Sequence, residues 1–504
     1  MEFCHTPFMD ALAKLPPSTV MLGGGRSKTL AGALYKRSVS LAVGLRARGF
    51  QPKDRIAVIV PPGESFLEIF FASAMLNGML ALIDPEMGRD NFESKLKQFA
   101  PRWLFIDSRL LFLRENRLAR YLYTKLFSQA FFVSFDGVEQ IISVGHSLPI
   151  GGKYTSLSKL YLKTSEEITF RDHHDAEFMV TYTSGTLAEP KGVAHSVGSL
   201  FNSLVKIKEL LSNVSDVRIA AYLPHFMMFG ICSGHPVFLY DRRKSAAWVI
   251  RFLERNRITT LFGPPSFYTP LIQYCLENKR KLPASLQLAI LGSAPVHPGF
   301  LRSMYAVAGE QLKVTCLYGM TEHLIIATID GRKKMNDPNP GDVVGAPVND
   351  VHLSIADDGE VLVNSPQLFS RYLHMTSRET PHHTGDLGYL AKGKLVLTGR
   401  KKDMIIRRDT NIYPAIYERT IKNIPGVAEA VMIGVYTADK HDEEVFLVVE
   451  SEAYSESELL KILQAGQYSI DREALPDKIV FRKIPLSGRQ NKVDRKKLKS
   501  ELTR

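Results

Sequence analysis

The sequence predicts an α/β protein. A large multi-subdomain N-terminal unit with mainly parallel sheets and a β-rich subdomain precedes a small α+β C-terminal unit. Three observations predict this. Strand-like runs alternate with helical patterns between residues 29 and 291, short strands split by turn dipeptides follow Gly341, and helix and strand patterns resume after a basic segment at 399–403.

Apolar residues at helical spacing after Thr29 give a helix, and Arg55–Val60 reads as a strand stopped by Pro61-Pro62-Gly63. A second helix begins near Ser65. The run Phe66–Ile83 is the best candidate for a membrane span, but it carries Glu68, Asn77 and Gly78 and meets Asp84-Pro85, so a buried helix entering a short strand is expected. Trp103–Ile106, Ile219–Leu223, Thr259–Phe262 and Leu286–Leu291 recur as strands between helices, which favours parallel pairing. Beyond Gly341, Val351–Ile355, Val361–Val363 and Lys394–Thr398 are short strands separated by Asp-Gly and Lys-Gly turns. Gly399–Asp403 reads as a basic turn, and Ala430–Val435 and Val445–Val449 as strands of a further unit. The expected division is 1–400 and 401–504, with no internal repeat.

With 504 residues, and roughly 150 per domain, two to four domains are expected. The net charge of +12 favours anionic partners such as nucleotides, CoA-like thiols or an anionic lipid surface. Its densest part, Lys478–Arg504, holds ten Lys and Arg against two acidic residues, and reads as a solvated helix face, since no groove-reading motif accompanies it. No nucleic-acid partner is therefore expected. Cys4, Cys232, Cys275 and Cys316 are scattered, which argues against a disulfide framework or a zinc site and fits a reducing, cytoplasmic setting. Cys232 and Cys316 sit among apolar residues and read as packing. The start, MEFCHTPFMDAL, lacks the pattern of a signal peptide, and a peripheral surface patch is the one form of membrane contact left open.

The chemistry is concentrated in a few short segments. Thr181–Val193 reads as a strand end, a loop of small and hydroxyl residues (Thr183, Ser184, Gly185, Thr186) and then Lys191. Hydroxyls, free backbone N–H groups and a lysine suit an anionic polyphosphate. The spacing is not that of the P-loop, and a plain surface loop is the competing reading. At this segment the chain resembles the adenylate-forming superfamily of acyl-CoA synthetases, peptide-synthetase adenylation domains and luciferases, whose phosphate loop runs TSGTTGxPKG. The likeness continues in order through the Asp84-Pro85 dipeptide, Gly263–Tyr268, the adenine-contacting turn Gly292-Ser293-Ala294-Pro295, Tyr318-Gly319-Met320-Thr321-Glu322, Thr384–Gly388, Gly399–Asp403 and Asn491–Arg495.

The resemblance implies ATP and Mg2+ as cofactors and a CoA or phosphopantetheine thiol as co-substrate. Asp386 takes the ribose hydroxyls beside Arg400, although alone it reads as a turn-capping residue. Tyr318 lies on the adenine face and still offers its hydroxyl, Thr321 meets the α-phosphate, and Glu322 holds the metal. Lys492, otherwise one lysine in a basic tail, meets the charge that builds on the α-phosphoryl oxygens. Lys402 is the hinge about which a mobile C-terminal domain swings.

The chain departs from the pattern at four places. Leu187 and Ala188 replace a hydroxyl residue and a glycine in the phosphate loop. Arg407–Glu418 lacks the glycines that flank a pantetheine arm, which weakens the case for a thioester. Met227 stands where a histidine is frequent, with His225 out of register, and Asn491 replaces a glycine. Met227, Met228, Phe229, Gly230 and Leu324 make an apolar acid pocket, so a hydrophobic or fatty acyl chain is expected; methionines in such a run also read as core.

The resulting expectation is an acid–thiol ligase that forms an acyl-adenylate, with CoA or an acyl carrier protein as acceptor. Residues 262–331 also resemble β-lactone synthetases, which close a 3-hydroxy acid through its adenylate. The third reading is a degenerate, non-catalytic acyl- or nucleotide-binding protein, against which Lys191, Glu322, Asp386, Arg400 and Lys492 all count.

Overall fold

The computed structural model describes residues 2–5, 7–24, 28–83, 89–116, 135–146, 154–163, 169–182, 191–241, 243–407, 410–437, 442–465, 467–468, 470, 474–487 and 492–503. Two large sheets organise the chain up to Arg400. One runs, in spatial order, Arg371–Tyr372, Gly192–Ser196, Glu177–Tyr182, Met79–Leu82, Arg55–Ile59, Trp103–Asp107, Gln140–Val144 and Thr155–Ser156. It is parallel from Glu177–Tyr182 onward, and its first two strands are added antiparallel. The other has thirteen strands. Its parallel part joins Val20–Gly23, Val237–Leu239, Ile219–Ala221, Thr260–Gly263, Leu288–Leu291 and Lys313–Met320. Beyond Lys313–Met320 the pairing turns antiparallel through His323–Asp330 and Asp342–Pro347 to Lys394–Arg400. The strands after Gly341 therefore extend the parallel sheet.

Apolar side chains from both sheets share one core with the helices Ala31–Ala47, Glu64–Met75, Val197–Leu211 and Pro224–Cys232. A helix covered on both sides must be apolar all round. This accounts for the Phe66–Ile83 run: Phe66 through Met75 are all buried, and Met79–Leu82 is the expected strand. Glu68 is fully buried and takes hydrogen bonds from Arg37 and Tyr161 on neighbouring elements. Among the described residues, no helix is long and apolar enough to cross a membrane. All four cysteines are buried and unpaired, and burial pushes the Cys232 and Cys316 thiols up to about 12, as suits packing residues.

The residues after Met404 build separate cores around Glu429–Thr437, Asp442–Glu450 and Lys478–Phe481. The segment expected to be a turn at 399–403 is different. Gly399 and Arg400 complete strand Lys394–Arg400, and only Lys401–Asp403 leaves it, as one turn of 3-10 helix. The ladder to His382–Ala391 holds Arg400 in strand form, directly opposite Asp386.

Candidate active site

Open α/β sheets bind ligands beyond the carboxyl ends of their parallel strands. In the larger sheet those ends carry Tyr222, Gly263, Gly292 and Tyr318. Tyr318, near the end of Lys313–Met320, is 9% exposed and donates from its hydroxyl to Asp386 Oδ2 at 2.6 Å. Arg400 Nε lies 2.5 Å from the other carboxylate oxygen. The tyrosine hydroxyl expected to remain on offer is thus committed, and both Asp386 oxygens are already engaged. A carboxylate has about four acceptor sites, so two ribose hydroxyls still find lone pairs there. Burial raises the Asp386 pKa, against the pull of Arg400 and the Tyr318 hydroxyl. Gly385, with φ of +72°, turns the strand so that its amide meets Glu360 Oε1 at 2.9 Å.

Thr321 and Glu322 form the tip of the hairpin that joins Lys313–Met320 to His323–Asp330. The turn demands glycine at 319, because a Cβ there collides with the Leu324 carbonyl. Glu322 is 6% exposed; its Oε1 accepts from Tyr372 at 2.8 Å, and its carbonyl accepts from the Phe369 amide at 2.9 Å. Lys191 directly precedes strand Gly192–Ser196, with Nζ 5.3 Å from the centroid of the Tyr372 ring. Below lie His195, His323 and His382, all buried, with pKa values lowered to about 4 chiefly by desolvation. They are neutral at physiological pH. His323 Nε2 is 2.6 Å from Ser365 Oγ.

Among the described residues, no group of three or more His, Cys, Asp or Glu could hold a metal. Magnesium, however, is commonly held by one or two carboxylates together with substrate phosphates. Glu322, with its Oε1 held by Tyr372, fits that use.

Thr183, Ser184, Gly185 and Thr186 lie outside the described residues, as do Leu187, Ala188, Asn491 and Asp84-Pro85. The turn Gly292–Pro295 follows strand Leu288–Leu291, and Ser293 adopts a left-handed φ of +68° there. Lys492 begins the short strand Lys492–Val493, opposite Ser487. Solvent reaches it, yet Asp386, Arg400 and Lys402 all act on its ammonium. Burial and then the two cations lower its pKa, against Asp386. The lysine from the C-terminal tail is thus near enough for the charges of Asp386 and Arg400 to act on it. Lys402, the expected hinge, is exposed. Its neighbour Lys401 is tied to Asp358 at 2.6 Å and Glu360 at 2.9 Å. Arg495 pairs with Glu418 through two bonds of 2.6 and 2.7 Å, and lies 3.6 Å from Asp403.

The acyl wall divides. Met227, Met228 and Gly230 on helix Pro224–Cys232 are buried, the two methionines in the main core. Phe226, Phe229 and Leu324 remain partly exposed. Phe226 stacks on Phe262 at 5.6 Å, and Tyr222 stacks on Phe267 at 5.4 Å, which makes a continuous aromatic wall.

Sequence reading missed Tyr372, Glu360 and Arg495. Only Arg495 lay inside a recognised segment, and none has a local periodicity that would mark it.

A two-sheet α/β body with a carboxylate–arginine–tyrosine cluster and an acidic hairpin at the strand ends defines an adenylate-forming enzyme. The chain belongs to the AMP-binding enzyme family, whose pattern it matches over residues 8–373. It is 31% identical over 271 residues to the 3-[(3aS,4S,7aS)-7a-methyl-1,5-dioxo-octahydro-1H-inden-4-yl]propanoyl:CoA ligase of Mycobacterium tuberculosis, covering 51% of this chain and 53% of that protein. It is 26% identical over 447 residues to a feruloyl-CoA synthase of an Amycolatopsis species, covering 83% of each. Among solved structures, ATP-bound MatB from Rhodopseudomonas palustris superposes with a TM-score of 0.80 at 22% identity over 99% of both chains, which shows the fold. The expected acid–thiol ligase class is the class that both curated relatives' names carry.

Proposed function

We propose that the chain activates a hydrophobic carboxylic acid with ATP and passes the acyl group to the thiol of CoA or a carrier. The observation that carries this reading is the Asp386–Arg400–Tyr318 cluster, whose charges act on the Lys492 ammonium, because an adenylating site needs a cation beside the nucleoside anchor. Tyr318 and Gly292–Pro295 border the adenine, and Asp386 and Arg400 hold the ribose. Thr183–Thr186 and Lys191 hold the phosphates with Thr321. Glu322 is the residue for Mg2+, which when bound neutralises phosphate charge. An oxygen of the acid's carboxylate attacks the α-phosphorus, the bond to the β-phosphate oxygen breaks, and pyrophosphate leaves. The Lys492 ammonium meets the charge that builds on the α-phosphoryl oxygens. In the second step a thiolate sulfur attacks the acyl carbonyl and AMP departs.

Residues 1–400 form the large domain and 401–504 the small one, turning about Lys402. The aromatic wall of Phe226, Phe229 and Phe262 supports an apolar acyl group.

Exchange of labelled pyrophosphate into ATP with a panel of acids tests the first step; no exchange with any acid would remove it. Product analysis with and without CoA tests the second. A four-membered lactone formed from a 3-hydroxy acid without thiol would replace the ligase reading by ring closure.

A further inference from the structure

Lys191 and Glu322 carry opposite charges at the same end of the site, yet Lys191 forms no ion pair among the described residues. Tyr372 stands between them. Its hydroxyl donates to Glu322 Oε1 at 2.8 Å, while its ring faces the Lys191 ammonium at 5.3 Å. The ring is itself fixed. Tyr372 pairs with Val193, two residues beyond Lys191, on the edge strand Arg371–Tyr372. Arg371 locks that strand by gripping both carboxylate oxygens of Glu177, each at 2.7 Å. The Phe369 ring lies 4.7 Å away, and the Phe369 amide holds the Glu322 backbone.

We propose that Tyr372 is a positioning residue: a spacer that stops the phosphate-binding lysine from collapsing onto the metal-holding glutamate, and so keeps each free for its own part of a metal–triphosphate. The proposal rests on the adenylating reading above. A hydrogen bond holds one oxygen of Glu322, and the other makes no hydrogen bond among the described residues. The aromatic face gives Lys191 a weak cation–π contact, which a phosphate displaces more readily than it would a salt bridge.

The test is calorimetric titration of the full chain with ATP, in Mg2+ and in chelator, for wild type, Tyr372→Phe, Tyr372→Leu, Glu322→Gln and the double variant Tyr372→Leu/Glu322→Gln. Wild type is expected to bind ATP more tightly with Mg2+. Tyr372→Phe is expected to lose about tenfold of that gain, one charged hydrogen bond, with metal-free affinity unchanged. Tyr372→Leu is expected to weaken metal-free binding about tenfold as well, because Lys191 then pairs with Glu322. The double variant is expected to recover that loss, a rescue that general structural damage does not produce. A double variant as weak as Tyr372→Leu, or a Tyr372→Phe protein with the full Mg2+ gain while Glu322→Gln has none, would overturn the spacer and leave the functional reading standing. Absence of ATP binding by wild type would overturn both.

Discussion

The nucleoside end and the acyl end of the cleft are built in opposite ways. At the nucleoside end, Asp386 and Arg400 are cross-strand partners, and Tyr318 reaches the same carboxylate from a third strand. Each Asp386 oxygen has a partner there, and sheet register fixes the pairing with Arg400. At the proposed acyl end, the wall is a set of stacked rings carried by two helices (Phe226, Phe267), a strand (Phe262) and the strand-end residue Tyr222. Tyr240 continues that wall, 5.6 Å from Tyr222, and its buried hydroxyl has no partner among the described residues. A saturated polar cluster tolerates no alteration without leaving an orphaned charge. An apolar wall tolerates repacking.

The sharpest break in this comparison is Lys492→Ala. Loss of one preorganised cation is expected to slow pyrophosphate exchange about 10²–10³-fold while ATP binding stays close to wild type, as a titration checks. With Lys492 intact, its lowered pKa places the loss of the cation at lower pH than for an ordinary lysine. Exchange should therefore fall as pH rises through that value, and a pH–rate profile reads it.

Asp386→Ala should act on binding instead. It strands Arg400 and the buried Tyr318 hydroxyl, and ATP affinity is expected to fall by about 2–3 kcal/mol, or 30- to 150-fold.

The third effect is on stability. His195, His323 and His382 are neutral in the folded protein down to about pH 4, whereas unfolded histidines take up protons near 6.5. Between those values the unfolded chain binds more protons, so stability should fall as pH drops from 6.5 to 4. The sum is on the order of several kcal/mol, read by denaturant titration at each pH.

The smallest change sharpens the acyl side. Tyr240→Phe removes a buried hydroxyl without a partner and is expected to raise stability by about 1 kcal/mol. If exchange with a polar acid falls while exchange with an alkyl acid holds, the hydroxyl reads a substrate group and the wall is less permissive than its rings suggest.

The two ends also differ in how far the sequence exposed them. Tyr318, Glu322, Asp386, Arg400 and Lys492 sit in short segments whose residue types carry chemistry, and each segment was visible as a string. Tyr372 carries no such mark: a tyrosine in a short edge strand reads as ordinary β-structure. The acyl wall misled in a different manner. Met227 and Met228 look like pocket residues in a linear run, but the helix buries both in the core and leaves Phe226 and Phe229 only partly buried against it.

Alone, the sequence determined the layering of helices on parallel strands, the helix from Glu64 that is apolar all round, and the identity of the charged groups, because periods of two and 3.6 residues and local residue chemistry are properties of neighbours along the chain. Only the tertiary structure decided that the Tyr318 hydroxyl is spent on Asp386, 68 residues away, that Tyr372 holds Glu322 across 50 residues, and that the charges of Asp386 and Arg400 act on Lys492. Sheet register and the packing of one unit against another set those meetings, and a one-residue slip in either would undo them without altering any motif.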